Sequence, residues 1–178
     1  MTGVSKRCDG LETKPLLRVR LASSHPLLPS SATLTPNTST SIMYDPQMVQ
    51  PFRDELTTLG VKELLNPEDV TTTLAESGTT LVFVNSVCGC AAAGARPGLR
   101  LAMMNEKKPD RFVTVFAGME AAATAKAREH FAPYRPSSPQ IALIKDGELV
   151  HMVQRQDIEG KDPAMVAKNL SDAYDLHC

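Results

Sequence analysis

The sequence lacks a charge excess of either sign: 19 Lys and Arg stand against 20 Asp and Glu, a net charge of −1 over 178 residues. At whole-chain level it therefore has none of the basic footprint of a nucleic-acid binder, and no nucleic-acid partner is expected. It also lacks any apolar run approaching the roughly 20 residues of a bilayer-spanning helix, so no membrane partner is expected either. No uninterrupted apolar stretch of about 7 to 15 residues follows the basic start, which argues against a secretory signal. Cysteines are few. The four of them, Cys8, Cys88, Cys90 and Cys178, are too scattered for a secreted disulfide scaffold, and two thiols this close in a cytoplasmic protein point to catalysis or metal binding.

Composition divides the chain near Met43. Ser23 to Ser41 holds ten Ser/Thr and three Pro in 19 residues with no charged side chain, a composition that cannot bury enough surface to fold. Residues 1–42 carry five Lys/Arg and two Asp/Glu (+3), whereas 43–178 carry 14 and 18 (−4). Residues 1–42 are thus expected to be a disordered extension, and 43–178 the folded domain. An over-extended start with translation from Met43, an ordinary disordered tail and an organelle transit peptide all fit the extension.

The domain is organised around TTLVFVNSVCGCAAAGARPGLRL, from Thr79 to Leu101. Leu81 to Val84 is a short β-branched and aromatic run, long enough for a buried strand and too short for a buried helix. From Ala91 the residues favour helix, and Gly89 marks the point where the chain is expected to turn from extended to helical. Both cysteines then sit at a helix N-terminus, where free N–H groups and the helix dipole favour the thiolate.

On either side, the pattern alternates. Pro46 opens a helix carrying Met48, Val49, Phe52, Leu56 and Leu59 up to Gly60, with Pro51 inside it. Asn66-Pro67 caps a second helix. Arg96-Pro97-Gly98 is expected to kink or break the helix after the cysteines. Arg111 to Phe116 alternates as a strand, and an Ala-rich helix follows from Met119 to about His130. Ile141–Ile144 and Leu149–Val153 flank an Asp146-Gly147 hairpin turn, and Asp162-Pro163 starts the last helix. The order α, α, β, α, β, α, β, β, α describes an α/β thioredoxin-like sandwich, a central mixed sheet with helices on both faces. In such a fold Pro139, just before the third core strand, is expected to be cis and to face the reactive cysteine.

Three segments, CGCAAAGARPG, the PSSP before a strand, and KDGELVHMVQRQDIEG, make residues 43–178 resemble the bacilliredoxin family of thioredoxin-like proteins. The resemblance implies thiol–disulfide exchange that removes bacillithiol from S-bacillithiolated client proteins under oxidative stress, with disulfide isomerase activity as a related capacity. It implies Cys88 as nucleophile and Cys90 as second thiol, bacillithiol as thiol co-substrate, no metal or other cofactor, and a disulfide reductase as a further partner. Gly89, Arg96 and Pro139 are the candidate substrate contacts.

The single residue between the cysteines shapes this chemistry. On a regular helix side chains two apart point about 200° from one another, so a Cys88–Cys90 disulfide requires local unwinding and should be strained and readily reduced. Such a pair suits the shuffling of mixed disulfides. Cys88, first out of the strand, is expected to have the lower pKa. Cys178 is expected to be a free surface thiol, with a third redox thiol as the alternative. The rival reading is a metal site in which Cys178 and His177 join the Cys-X-Cys thiolates. Arg96 is read as a substrate or thiolate contact or as a solvated surface arginine, His130 and His151 as surface or satisfied histidines, and Met103 and Met104 as core filler.

Overall fold

Proline placement sets three of the helix starts. In the computed structural model, which describes residues 44–178, Asp45, Asn66 and Asp162 each precede a proline, and each side chain accepts a hydrogen bond from a first-turn backbone N–H. Proline has no N–H to leave unsatisfied at that position, and the capping oxygen satisfies one of the others. The expected extension 1–42, and Cys8 within it, lies outside the described residues.

The elements run α1 (Pro46–Thr57), β1 (Lys62–Glu63), α2 (Pro67–Leu74), β2 (Thr79–Asn85), a π-helical stretch (Ala91–Ala95), α3 (Arg96–Ala102), β3 (Arg111–Phe116), α4 (Ala121–Glu129), β4 (Gln140–Lys145), β5 (Glu148–Val153), α5 (Arg155–Ile158) and α6 (Pro163–His177). The five strands form one sheet in the order β1-β3-β2-β4-β5. β3 is parallel to β1 and β2, and β4 is antiparallel to β2 and β5. This is the expected thioredoxin-like arrangement. The Asp146-Gly147 turn has positive φ at both residues, 51° and 84°, as a two-residue hairpin of this hand requires.

All seven residues of β2 are buried, because the strand lies at the centre of the sheet with helices on both faces. Side chains alternate across it. Leu81 and Phe83 pack with Leu99, Val166, Leu170 and Tyr174 on the α3–α6 face. Val82 and Val84 pack with Val70, Leu74, Ala123 and Phe131 on the α2–α4 face. Gly98 allows α3 to approach α6, since a Cβ there would lie 2.8 Å from two carbons of Val166.

Several expectations need correction. The break expected at Arg96–Gly98 is absent; instead the helix widens before it, and the Arg96 N–H reaches the Ala91 carbonyl. An α-helical turn there would force the Pro97 ring against the carbonyl four residues earlier, and the wider turn removes that clash. Strand β1 and helix α5 did not appear in the sequence pattern, being two and four residues long. Pro51 lies inside a single helix α1. Met103 packs against the core as expected, but Met104 is 80% exposed.

Candidate active site

The buried strand β2 delivers its last residues to the edge of the sheet, where Ser86 and Val87 carry the chain to Cys88. The turn from extended to helical falls there. Gly89 is already helical, has no positive φ, and has open space where a Cβ would be. Glycine is thus not demanded by the backbone at this position, contrary to the sequence expectation. It leaves the approach to the thiols uncrowded.

The Cys88 sulfur accepts hydrogen bonds from the Ser86 hydroxyl and from the Ala91 N–H, both at 3.3 Å, and lies 3.9 Å from the Ser138 carbonyl oxygen. The Ser138–Pro139 peptide is cis, as expected, and a second cis bond joins Ala132 and Pro133. Burial opposes ionisation of Cys88, but hydrogen bonds from the Cys90 thiol, the Ser86 hydroxyl and the backbone outweigh it and hold the thiol below its ordinary range. Cys90 moves the opposite way. Burial and the negative charge of Cys88 push its thiol up, against a smaller pull from Arg155. The two sulfurs are therefore unequal, Cys88 being the easier of the pair to ionise.

Beneath the pair lies Arg96, 2% exposed. It is neither a solvated arginine nor a direct contact to the sulfur. Its Nε pairs with Glu55 at 2.6 Å, and its Nη1 donates to Asn85 Oδ1 and the Ser86 carbonyl at 3.1 and 3.0 Å. Asn85 Oδ1 also accepts from the Ser86 N–H, and the Phe52 ring lies 4.9 Å from the guanidinium carbon. Arg96 thus ties α1, the end of β2 and α3 together under the turn that carries Ser86.

Cys178 sits elsewhere. Its surroundings are Thr79, Asp110, Lys107 and Lys145, at the start of β2. Cys88 lies beyond the other end of that seven-residue strand, on the order of 20 Å away at about 3.3 Å per residue. The alternative of a third redox thiol resolving Cys88 within one chain is contradicted by this separation. Cys178 is a free, exposed thiol, as are Cys88 and Cys90 apart from their partial burial. The same separation undoes the rival metal site. Among the described residues no three His, Cys, Asp or Glu side chains converge as a metal site would need. His151 is satisfied by Asn169 at 2.7 Å.

A cavity of about 320 Å³ opens beside Cys88, lined by Tyr44, Ser138, Arg128 and Arg155 among others. These arginines, and Ser86 as a donor, are residues around Cys88 that sequence reading missed. Arg155 stood inside the quoted KDGELVHMVQRQDIEG segment. It is the first residue of α5, whose Ile158 packs on Gly94 of the π-helical stretch, 3.1 Å from where a Cβ would stand. Through that contact a residue 65 positions further along the chain comes to face the thiols.

The model of the family described as disulphide isomerase matches residues 44–178. A bacilliredoxin of Halalkalibacterium halodurans is 52% identical over 136 residues, 76% of this chain and 94% of its own length. A bacilliredoxin of Cytophaga hutchinsonii is 48% identical over 133 residues, 75% of this chain and 98% of its own. Among solved structures, an oxidoreductase with a thioredoxin fold superposes with a TM-score of 0.50 at 18% identity, over 66% of this chain and 97% of the other.

Proposed function

Because this chain belongs to the bacilliredoxin family of thiol–disulfide oxidoreductases, we propose that its reaction in the cytoplasm is the removal of bacillithiol from S-bacillithiolated proteins. The observation that supports this most directly is the unequal pair of thiols, with the Cys88 pKa held below its ordinary range by donors from Cys90, Ser86 and Ala91.

The Cys88 thiolate attacks the bacillithiol sulfur of the mixed disulfide. A new S–S bond forms between Cys88 and bacillithiol, the old one breaks, and the client cysteine leaves as thiolate and takes up a proton. Nothing is oxidised or reduced overall in this step. The negative charge on Cys88 then disappears, and with it one of the causes that push the Cys90 thiol up. Cys90 ionises more readily once Cys88 has reacted, which orders the two thiols in time. The adduct is cleared by Cys90, giving a Cys88–Cys90 disulfide and free bacillithiol, or by a second bacillithiol, giving bacillithiol disulfide. A disulfide reductase then supplies the two electrons that restore the thiols. None of these exchanges requires a metal or flavin held by this chain.

Intact-mass measurement with a bacillithiolated client tests the assignment. Cys88→Ser should leave the client modified, and Cys90→Ser should release the client and accumulate Cys88 bound to bacillithiol. Release by Cys88→Ser at the unmodified protein's rate would overturn the reading.

A further inference from the structure

Among the described residues, two cations face the Cys88 cavity and no carboxylate lines it. Arg128, on α4, donates from Nη2 to the Ser137 carbonyl at 2.8 Å, while its Nε is buried with no partner among the described residues. Among the described residues no acidic side chain compensates its charge, and burial pulls its pKa down. A partly buried guanidinium without a counter-ion is unfavourable in the empty cavity and becomes favourable once an anion enters. Arg155, on the α5 side, is held by Glu159 through two contacts of 3.2 Å, and its charge is felt by both Cys90 and Cys88. Both residues bond to Ser137, Arg128 through its guanidinium and Arg155 through its backbone N–H at 3.4 Å, and the adjoining Ser138 carbonyl lies beside the Cys88 sulfur.

We propose that Arg128 and Arg155 form an anion-recognising wall that selects mixed disulfides whose small-thiol half carries carboxylate groups, with Arg128 as the main anchor. The proposal rests on the mixed-disulfide reading above and names the residues that give it specificity. A planar guanidinium suits a carboxylate better than an ammonium does, because it can offer two parallel N–H donors. The anionic half is thereby held over Cys88 while the client protein remains outside the cavity. A thiol half that is neutral gains nothing from this wall, and a cationic one is repelled. Glu159 plays a secondary part: it fixes Arg155 against α5 and keeps that side chain from collapsing onto the thiolate.

The test needs neither bacillithiol nor a client. The rate of Cys88 modification, followed by quenching and peptide mass, is measured with the dianionic 5,5′-dithiobis(2-nitrobenzoate) and the uncharged 4,4′-dithiodipyridine. The ratio of the two rates cancels any change in thiolate content. It should fall about tenfold in Arg128→Gln, the loss of one charge-assisted contact, and by a smaller factor in Arg155→Gln, and rising salt should lower it in the unmodified protein. Arg128→Lys should lie between, since it keeps the charge and loses the fork. An unchanged ratio in both glutamine variants overturns the proposal. Should Arg128→Gln fail to fold, the exposed Arg155→Gln decides by itself. An unchanged ratio leaves the bacillithiol assignment standing, whereas a fall in the variants' ratio, with no bacillithiol release by the unmodified protein, removes that assignment and keeps the anion wall.

Discussion

Replacing Ser86 by Ala removes one donor, the hydroxyl at 3.3 Å from the Cys88 sulfur, and leaves the Ala91 N–H in place. Hydrogen bonds to charged groups contribute about 1.5–3 kcal/mol. At a partly exposed sulfur the low end applies, so the Cys88 pKa should rise by about one unit, each unit being about 1.4 kcal/mol. Well below both pKa values the thiolate fraction then falls about tenfold. The thiolate that remains is a better nucleophile, by about threefold for a Brønsted coefficient of roughly 0.45. Exchange with an uncharged disulfide should therefore be about threefold slower well below both pKa values and about threefold faster well above both, where both proteins are fully ionised. The two rate profiles must cross. Stopped-flow measurement with 4,4′-dithiodipyridine across this range gives the test. A uniform slowing at every pH would mean that Ser86 supports the turn rather than the charge, and an unmoved profile would mean that the hydroxyl does not reach the sulfur in solution.

Two further predictions concern what holds the site in place. Arg96→Gln should lower stability by about 3 kcal/mol, the lower end for breaking a buried ion pair, because Glu55 is 47% exposed and can rehydrate; a denaturant melt reads this, and unchanged stability with weakened substrate binding would restore Arg96 as a substrate contact. Asp110 accepts from the Thr79 N–H and hydroxyl at 2.7 and 2.9 Å, and these bonds, led by the N–H, hold its carboxyl below the ordinary range. A lowered folded pKa contributes stability that is present above the unfolded value and lost as pH falls through the folded one. Asp110→Ala should thus cost about 1 kcal/mol at neutral pH, and the gap to the unmodified protein should narrow in acid; a gap that stays constant from about pH 7 to below about pH 3 would contradict the assignment.

Local physics wrote much of this protein into its sequence. The caps at Asn66 and Asp162 depend on residues two or three apart, the hairpin at Asp146-Gly147 depends on two backbone angles, and the strand through Leu81–Val84 depends on its own apolar run. Each is decided within one turn or one strand, so each was legible, and their order implied the sheet. Cys88 was legible too, because a strand feeding a helix exposes its N–H groups at a place the sequence marks. Side chains that act across the fold were not. Arg96 was open between solvent and substrate until packing buried it against Glu55 and Asn85. Gly89 looked like a turn residue, but the turn falls one step earlier, where the backbone leaves the sheet. Strand β1 is two residues long and exists only because β3 offers it an edge. Arg128 and Arg155 share a cavity because α4 and α5 both end their approach at the Ser137–Ser138 segment. Cys178, equally a cysteine by composition, is removed from the chemistry by the length of β2. Periodicity and capping act over a few residues, whereas the electrostatics of a thiol depend on every charge brought near it in space, and only the folded chain decides which charges those are.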